Sequence, residues 1–467
     1  MVVGFHFLAA LLASIHALLN KRDSRAATLW LGTIWFLPVL GPLLYLALGV
    51  NRIRRRALSP GVRKTVARAI PKNLGESEPS GVEHLKMLAH AVSQIVRRPL
   101  TPGNRVQPLI NGDEAFPAML AAIESATKSI SLATYIFDND ASGILFADAL
   151  ARAVKRGVAV RVLIDAAGTR YSWPPITHRL KHDEVPVARF LPASVLKPWR
   201  VTTVNLRNHR KILVVDGHTA FTGGMNIRHG NMLAEKPSSP IRDLQFRVEG
   251  PLVAQLQEAF AADWAFTTEE TLDGEAWFPE LQESGDVIAR VIPDGPDADF
   301  ETVRWTLLAA LAEAQDSAQI LTPYFLPDIT LITALNLAAL RGVRVDIILP
   351  ERNNLRFVDW ASRSLWWQVL ERGCRIWLTP GTFDHSKLMI VDGHWVMLGS
   401  ANWDARSLRL NFELNVEAYG RDFARQMSGV LANKLHGARE VTLAEMDGRN
   451  VTVKLRDAVM RLFSPYL

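Results

Sequence analysis

The sequence predicts an α/β protein: two similar lobes behind an N-terminal two-helix membrane anchor. Three observations predict it. Two long uncharged runs open the chain, strands then alternate with helices, and the second half of that pattern repeats the first. The boundaries are an anchor with its basic juxtamembrane segment at 1–56, a linker at 57–105, a first lobe at 106–290 and a second at 291–467.

Met1 to Asn20 carries no Asp, Glu, Lys or Arg. After Lys21-Arg22-Asp23-Ser24-Arg25 a second uncharged run extends from Ala26 to Val50. Each reaches the roughly 20 apolar residues that a helix needs to cross a bilayer core. Trp30, Trp35 and Tyr45 are amphipathic rings suited to a membrane interface. Pro38 and Pro42 would break a soluble helix, but in a membrane neighbouring groups satisfy the freed carbonyls. A cleaved signal peptide is the alternative for the first run, and the missing basic n-region and cleavage site disfavour it. Arg52, Arg54, Arg55, Arg56, Arg63, Lys64, Arg68 and Lys72 follow the second run, against Lys21, Arg22 and Arg25 in the loop. That bias predicts a helical hairpin with both ends, and the large C-terminal part, on the cytoplasmic side of the membrane.

Residues 1–100 hold 14 Lys and Arg against four Asp and Glu, a net +10, and the remainder holds 39 against 43, a net −4. The basic segment would face anionic lipid headgroups, while the acidic body disfavours a nucleic-acid groove. A content of 48% hydrophobic and 21% charged residues excludes a disordered or fibrous chain. A single cysteine, Cys374, excludes an internal disulfide framework and a cysteine-rich zinc site.

Gly75 to Gly81 reads as a loop, followed by a short helix near Glu83 to Val96. Helical spacing over Ala118–Ala126 precedes a strand at Ser129–Phe137; a helix at Leu145–Lys155 precedes a buried strand at Val158–Ile164. Such alternation gives a mostly parallel sheet covered by helices. Leu307 to Phe325 answers Met119 to Phe137, and Arg341-Gly342-Val343 answers Arg156-Gly157-Val158. Two copies mean two similar lobes and not a solenoid.

The chemistry lies at matching places. His209, Lys211, Asp216, Gly223 and Asn226 recur as His385, Lys387, Asp392, Gly399 and Asn402 with identical intervals. His and Lys two apart on a strand share a face, so an imidazole and an ammonium line one wall. One His-x-Lys would be unremarkable; two with four matching intervals define a site.

These motifs resemble the signature of the phospholipase D superfamily, present twice. Phe36 to Gly41 with Tyr45, Arg207 to Lys211, Thr322 to Asp328 and Ser407 to Glu413 are similar to bacterial cardiolipin synthases. The resemblance implies a metal-free and cofactor-free transfer of a phosphodiester between alcohols. His209 is implied as the nucleophile that forms a phosphohistidine and His385 as the general acid, with the reverse assignment open because the lobes are nearly symmetric. Lys211 and Lys387 supply charge to the phosphate, with Asn226 and Asn402 as neutral donors. Asp243 and Glu413 look like the family's His-supporting carboxylates. Asp216 and Asp392 complete the motifs, and their place suits fixing the strand-to-turn geometry better than touching substrate.

Arg207, Arg210 and Arg409 are candidates for a second lipid phosphate or for a solvated or structural role, and Tyr135 and Tyr324 for the cleft wall or for packing. Trp360, Trp366 and Trp367 read as packing, with membrane contact as the alternative. Cys374 reads as a buried thiol, and no role is read for His84 or His229. The implied activity is phosphatidyl transfer between two phosphatidylglycerol molecules, giving cardiolipin and glycerol. Anionic phospholipids and the membrane are the partners. A membrane-bound phospholipase D with water as acceptor is the alternative; a nuclease and a non-enzymatic lipid scaffold fit less well.

Overall fold

The structure, a computed structural model, describes residues 2–21, 24–49, 83–192, 206–296 and 299–464. Two α/β lobes share one sheet of 15 strands. In the first, Ser129–Thr134, Ala159–Asp165 and Val187–Phe190 run parallel, and the hairpin Ile212–Val215 and Thr219–Gly223 joins their edge antiparallel. The second repeats this with Ser317–Leu321, Arg344–Pro350 and Arg375–Thr379, and the hairpin Leu388–Val391 and Trp395–Gly399. The halves meet where Thr101–Ile110 pairs antiparallel with Val287–Asp294.

Ile212–Val215 and Leu388–Val391 are continuous apolar runs, buried along their whole length because helices cover both faces. Helices Leu252–Thr268 and Arg421–Leu435 lie in a core that both lobes share, packing Phe260 and Met427 with Val248 and Val416. Asn111–Ser125 and Ala141–Lys155 cover the first lobe's outer face, Thr302–Glu313 and Ile329–Leu340 the second's. The duplication reaches the backbone. Asp216 and Asp392 both sit at φ 51°, where the hairpins turn.

The predicted helix Glu83–Val96 is present and buries Leu85, Leu88, Val92 and Val96 in the second lobe's outer core. The fully buried Arg290 pins it, donating to Ser93 Oγ at 2.6 Å and Ala89 O at 2.7 Å while ion-paired to Glu417. Residues 83–105, read as linker, are therefore packed structure. The basic cluster Arg52 to Lys72 lies outside the described residues.

The first uncharged run is one helix, Val2–Asn20. The second is divided. Helix Ser24–Phe36 stops ahead of Pro38, which has no N–H to donate and disfavours helical backbone at Leu37. The chain reverses at Val39, φ 65°, and returns as Leu40–Leu44 and a π-turn Tyr45–Gly49. Gly41 makes the return possible, because a Cβ there would collide with the Thr33 carbonyl. Tyr45 Oη is hydrogen-bonded to His16 Nδ1 at 2.8 Å, Val39 N–H donates to His6 Nδ1 at 3.0 Å, and Lys21 Nζ donates to Gly49 O at 2.6 Å. The chain thus leaves this unit beside Lys21, at the loop end, whereas the predicted hairpin has it leave beside residue 1. Among the described residues no helix is long and apolar enough to cross a membrane.

Candidate active site

His209 and Lys211 lie just ahead of strand Ile212–Val215, and His385 and Lys387 just ahead of Leu388–Val391. Each of these lead-ins is held by the opposite lobe. Asn208 pairs in parallel with Phe412, and His209 N–H donates to Phe412 O at 2.8 Å. Phe383 and Asp384 pair in parallel with Ile241 and Arg242, and His385 N–H donates to Arg242 O at 2.7 Å. The residue after each acceptor is a carboxylate, so the supports cross. His209 Nδ1 lies 2.9 Å from Glu413 Oε2, and His385 Nδ1 lies 2.8 Å from Asp243 Oδ2. A carboxylate at Nδ1 fixes the ring proton there and leaves Nε2 as the reactive nitrogen. The two rings stand 6.4 Å apart at 84°.

The two carboxylates differ in company. Glu413 also accepts from Ser400 Oγ at 2.6 Å and from Asn411 Nδ2 at 3.0 Å. Gly224 occupies the place of Ser400 in the first motif, and any Cβ there would collide with Asp243 Oδ1. Both lysines are buried and turn back on their own motif: Lys211 Nζ donates to His209 O at 2.7 Å, and Lys387 Nζ to His385 O. Asn226 Oδ1 accepts from Ile136 N–H at 3.1 Å. Asn402 Nδ2 donates to Ser407 Oγ at 3.1 Å, while its buried Oδ1 has no partner.

The site opens on a cleft of about 470 Å³ between the lobes, and Lys211, Lys387 and Glu413 are buried and not among the residues that line it. Both histidines, both asparagines and Asp243 line it, as do Tyr135, Tyr324 and Arg207. The tyrosine rings flank the imidazoles, Tyr135 at 5.1 Å from His209 and Tyr324 at 6.1 Å from His385. The sequence reading missed Arg228 and Arg406, two further cations on the wall. Each follows its motif asparagine by two and four residues, a spacing that could have marked them.

Asp216 and Asp392 are not brought to the cleft, although they complete the motifs. Asp216 accepts the backbone N–H groups of Thr127, Lys128 and Ser129, and Asp392 those of Gln315, Asp316 and Ser317. Each carboxylate ties its hairpin to the start of the neighbouring strand. Asp392 also bonds His84 Nε2 at 2.9 Å, which gives that histidine a structural place. Arg210 is buried against Asp263 and Asp294 O, and Arg409 pairs with Glu301. Trp366 and Cys374 are core residues, while Trp367 is largely exposed.

Burial and the two lysine charges hold the His209 imidazole well below its ordinary pKa. Burial and Lys387 lower His385 to about 4, with Asp243 opposing them. Desolvation also lowers Lys211 to about 7 and Lys387 to about 8, and raises Glu413 to about 7. Near neutral pH both imidazoles are therefore neutral, while Glu413 and Lys211 titrate there and Lys387 just above. Among the described residues no three His, Cys, Asp or Glu side chains are arranged to hold a metal ion.

A duplicated α/β fold with one His-x-Lys per lobe meeting in one cleft defines a phospholipase D-like protein. The sequence matches the family described as cardiolipin synthase, PLD-like domain, over residues 119–264 and 307–434, and the phospholipase D-nuclease N-terminal family over 8–49. It is 31% identical to a cardiolipin synthase of Oceanobacillus iheyensis, covering 100% of this chain and 99% of that one. It is 32% identical to the major cardiolipin synthase ClsA of Bacillus subtilis, covering 99% and 98%. The chain belongs to the cardiolipin synthase family. Among solved structures, the phosphatidylserine synthase of Haemophilus influenzae shares the fold with a TM-score of 0.63 at 16% identity, covering 81% of this chain and 100% of that one. The polyphosphate kinase of Porphyromonas gingivalis does so at 0.51 and 15% identity, over 83% and 56%.

Proposed function

We propose that the protein is a cardiolipin synthase that moves a phosphatidyl group between two phosphatidylglycerol molecules. The observation that carries this is the pair of imidazoles facing one cleft, each oriented through Nδ1 by the other lobe's carboxylate. His209 Nε2 attacks phosphorus and the bond to the glycerol oxygen breaks, while His385 gives that oxygen its proton. Lys211, Lys387 and Asn226 stabilise the non-bridging oxygens. Free glycerol leaves. The terminal hydroxyl of a second phosphatidylglycerol then attacks the phosphohistidine, returning a proton to His385, and the P–N bond breaks to release cardiolipin and free His209.

His385 suits the acid because Asp243 offsets the lysines there, so this imidazole is the easier to protonate. Burial and the lysine charge keep both rings unprotonated; an entering phosphodiester offsets the second of these, and His385 can then draw a proton from the site. The N-terminal unit holds the enzyme in the bacterial cell membrane where both lipids reside. Phe7, Leu11, Leu18, Leu29, Phe36 and Leu43 face outward from it, an apolar exterior that suits lipid. Its Lys21 and Gly49 end faces the cytoplasm with the body, so that every basic flank lies on one side.

Purified enzyme with phosphatidylglycerol as its sole lipid tests this, with glycerol and lipid products followed by mass spectrometry. Cardiolipin with matching glycerol is expected. Phosphatidic acid with glycerol would mean that water is the acceptor and the enzyme a phospholipase D. Labelled lipid should stay bound to protein in His385→Ala and vanish in His209→Ala; the opposite pattern would exchange their roles.

A further inference from the structure

The C-terminal helix Val451–Arg461 is amphipathic on its outer side as well as its inner one. Met460 packs on the second lobe's core and Asp457 is fully buried, which fixes the inner face. Val451, Leu455, Val459 and, just past the helix end, Leu462 recur at intervals of four, four and three. That spacing makes one continuous stripe, and the stripe is in solvent: Leu455 is 64% and Leu462 73% exposed. The flanks are basic. At about 100° per residue Lys454 and Arg461 border one side of the stripe and Arg456 the other. The helix's one acid, Asp457, is turned inward and ion-paired to Arg449 and Arg456.

This helix is joined to the cleft. It lies along helix Arg356–Arg363, with the Arg456 guanidinium 4.1 Å above the Trp360 ring and Arg449 Nη1 donating to Arg363 O. The adjoining helix begins at the cleft mouth, where Leu355 and Val358 line the wall and Phe357 is 57% exposed. Across the mouth the first lobe contributes Tyr171 to the wall and, two residues on, Trp173 at 89% exposure. A soluble rim has no reason to present these rings from both lobes, whereas a rim that receives lipid does.

We infer that the C-terminal stripe and the cleft rim form a second membrane-contact surface. Leu455 and Leu462, with Phe357 and Trp173, enter the headgroup region of an anionic bilayer and hold the cleft mouth against it. The inference deepens the lipid-substrate reading above and rests on it. An outward apolar stripe between basic flanks is the pattern of an interfacial helix. A second copy of the chain fits less well, because a contact through the stripe would set basic flanks against basic flanks.

The test uses the full-length protein in phosphatidylglycerol vesicles, with single labelling cysteines at Leu455→Cys and Trp173→Cys; Cys374 is buried and stays silent. Arg425→Cys, on the helix packed into the shared core, is the reference site. An environment-sensitive dye at 455 and 173 should be quenched several-fold by lipids carrying quencher in the headgroup and upper acyl region, and the dye at 425 should not. Equal, weak quenching at all three sites would overturn the inference. So would disulfide cross-linking between Leu455→Cys copies without lipid quenching, which would assign the stripe to a second subunit. The pair Leu455→Gln and Leu462→Gln should raise KM for vesicle phosphatidylglycerol about tenfold and leave kcat on a short-chain, detergent-dissolved substrate within twofold. Equal losses on both substrates would mean that the stripe serves the fold and not the bilayer. Quenching needs no turnover, so it stands apart from the product test of the activity.

Discussion

Asp243 of the first lobe accepts a hydrogen bond from His385 of the second at 2.8 Å, and Glu413 returns the arrangement to His209 at 2.9 Å. Neither lobe owns a complete His–carboxylate pair. The crossing comes from the backbone, because each motif's lead-in pairs in parallel with the residues just ahead of the other lobe's carboxylate. A displacement of one lobe therefore disturbs both imidazole rings at once.

Glu413→Gln and Asp243→Asn should each leave the fold intact and lower kcat roughly 10²-fold or more, with KM little changed. The amide can donate to Nδ1 and so select the wrong imidazole tautomer. Full kinetics beside a thermal melt check this. A rise in KM at constant kcat would mean that the carboxylates hold lipid and not the rings.

Gly224→Ala should be more damaging than Ser400→Gly. The new methyl has no space against Asp243 Oδ1, so the carboxylate that orients His385 must shift. Loss of the Ser400 hydroxyl removes one donor from Glu413, which keeps Asn411 and His209. A kcat loss of about 10²-fold is expected for the first and under about tenfold for the second. Equal effects would show that the crossed supports tolerate movement.

The pH profile should lack the usual imidazole limb. Both histidines are lowered, so the acid limb should follow not an imidazole but Glu413, which must lose its proton near 7 to hold the His209 Nδ1 proton. The protons that the mechanism draws on sit on Lys211 at about 7 and Lys387 at about 8. The value of kcat/KM should accordingly rise toward pH 7 as Glu413 ionises and fall as pH rises through about 7 to 8 with the lysines. A profile still climbing at pH 8 would contradict this proton inventory. The apparent values belong to the coupled set and not to single residues.

The duplication was legible because matched His, Lys, Asp, Gly and Asn positions carry the chemistry and the hairpin together. Asp243 and Glu413 were legible as supports, but their partners were not. Crossing depends on Asn208 meeting Phe412 across a sequence separation of 204 residues, which no local pattern encodes. Hydropathy read the second uncharged run as one span, since composition reports burial and not direction. Pro38 and the glycine at 41 decided the reversal. The helix Glu83–Val96 was foreseen from its periodicity, yet its docking depends on Arg290, almost 200 residues downstream.

Asp216→Asn and Asp392→Asn should cost stability and spare chemistry, despite their place in the motif. Burial alone would raise Asp216, but the backbone donors of Ser129, Thr127 and Lys128 outweigh it and its pKa is lowered. That stability is present above the unfolded carboxylate pKa of about 4 and is lost as pH falls through the lower folded value. Each variant should lose about 1–2 kcal/mol at pH 7, a few degrees in Tm, with kcat within about twofold. For Asp216→Asn the gap should narrow in acid. A hundredfold fall in kcat at unchanged Tm would restore these aspartates to the catalytic set.

The N-terminal unit makes the sharpest distinction between hydropathy and geometry. A simple hairpin with residue 1 and the body in the cytoplasm would put Ser24, where the connecting loop meets the second helix, on the outer face. The observed return segment brings Gly49 back to Lys21, so the loop and the chain's exit share one end. A membrane-impermeant maleimide should therefore label Ser24→Cys from the same side as the exposed body site Arg425→Cys, in right-side-out and inverted vesicles alike. The buried Cys374 supplies no background. Labelling from opposite sides would mean that Pro38 is straightened in the bilayer and the second run crosses it whole. The contacts of Tyr45 with His16 and of Val39 with His6 would then have to break. Those contacts hold the return segment to the first helix, and Gly41 lets it lie against Thr33 of the second, so replacing Gly41 by Leu should push the Leu40–Gly49 segment off Thr33 and, in the same assay, move Ser24→Cys to the outer face.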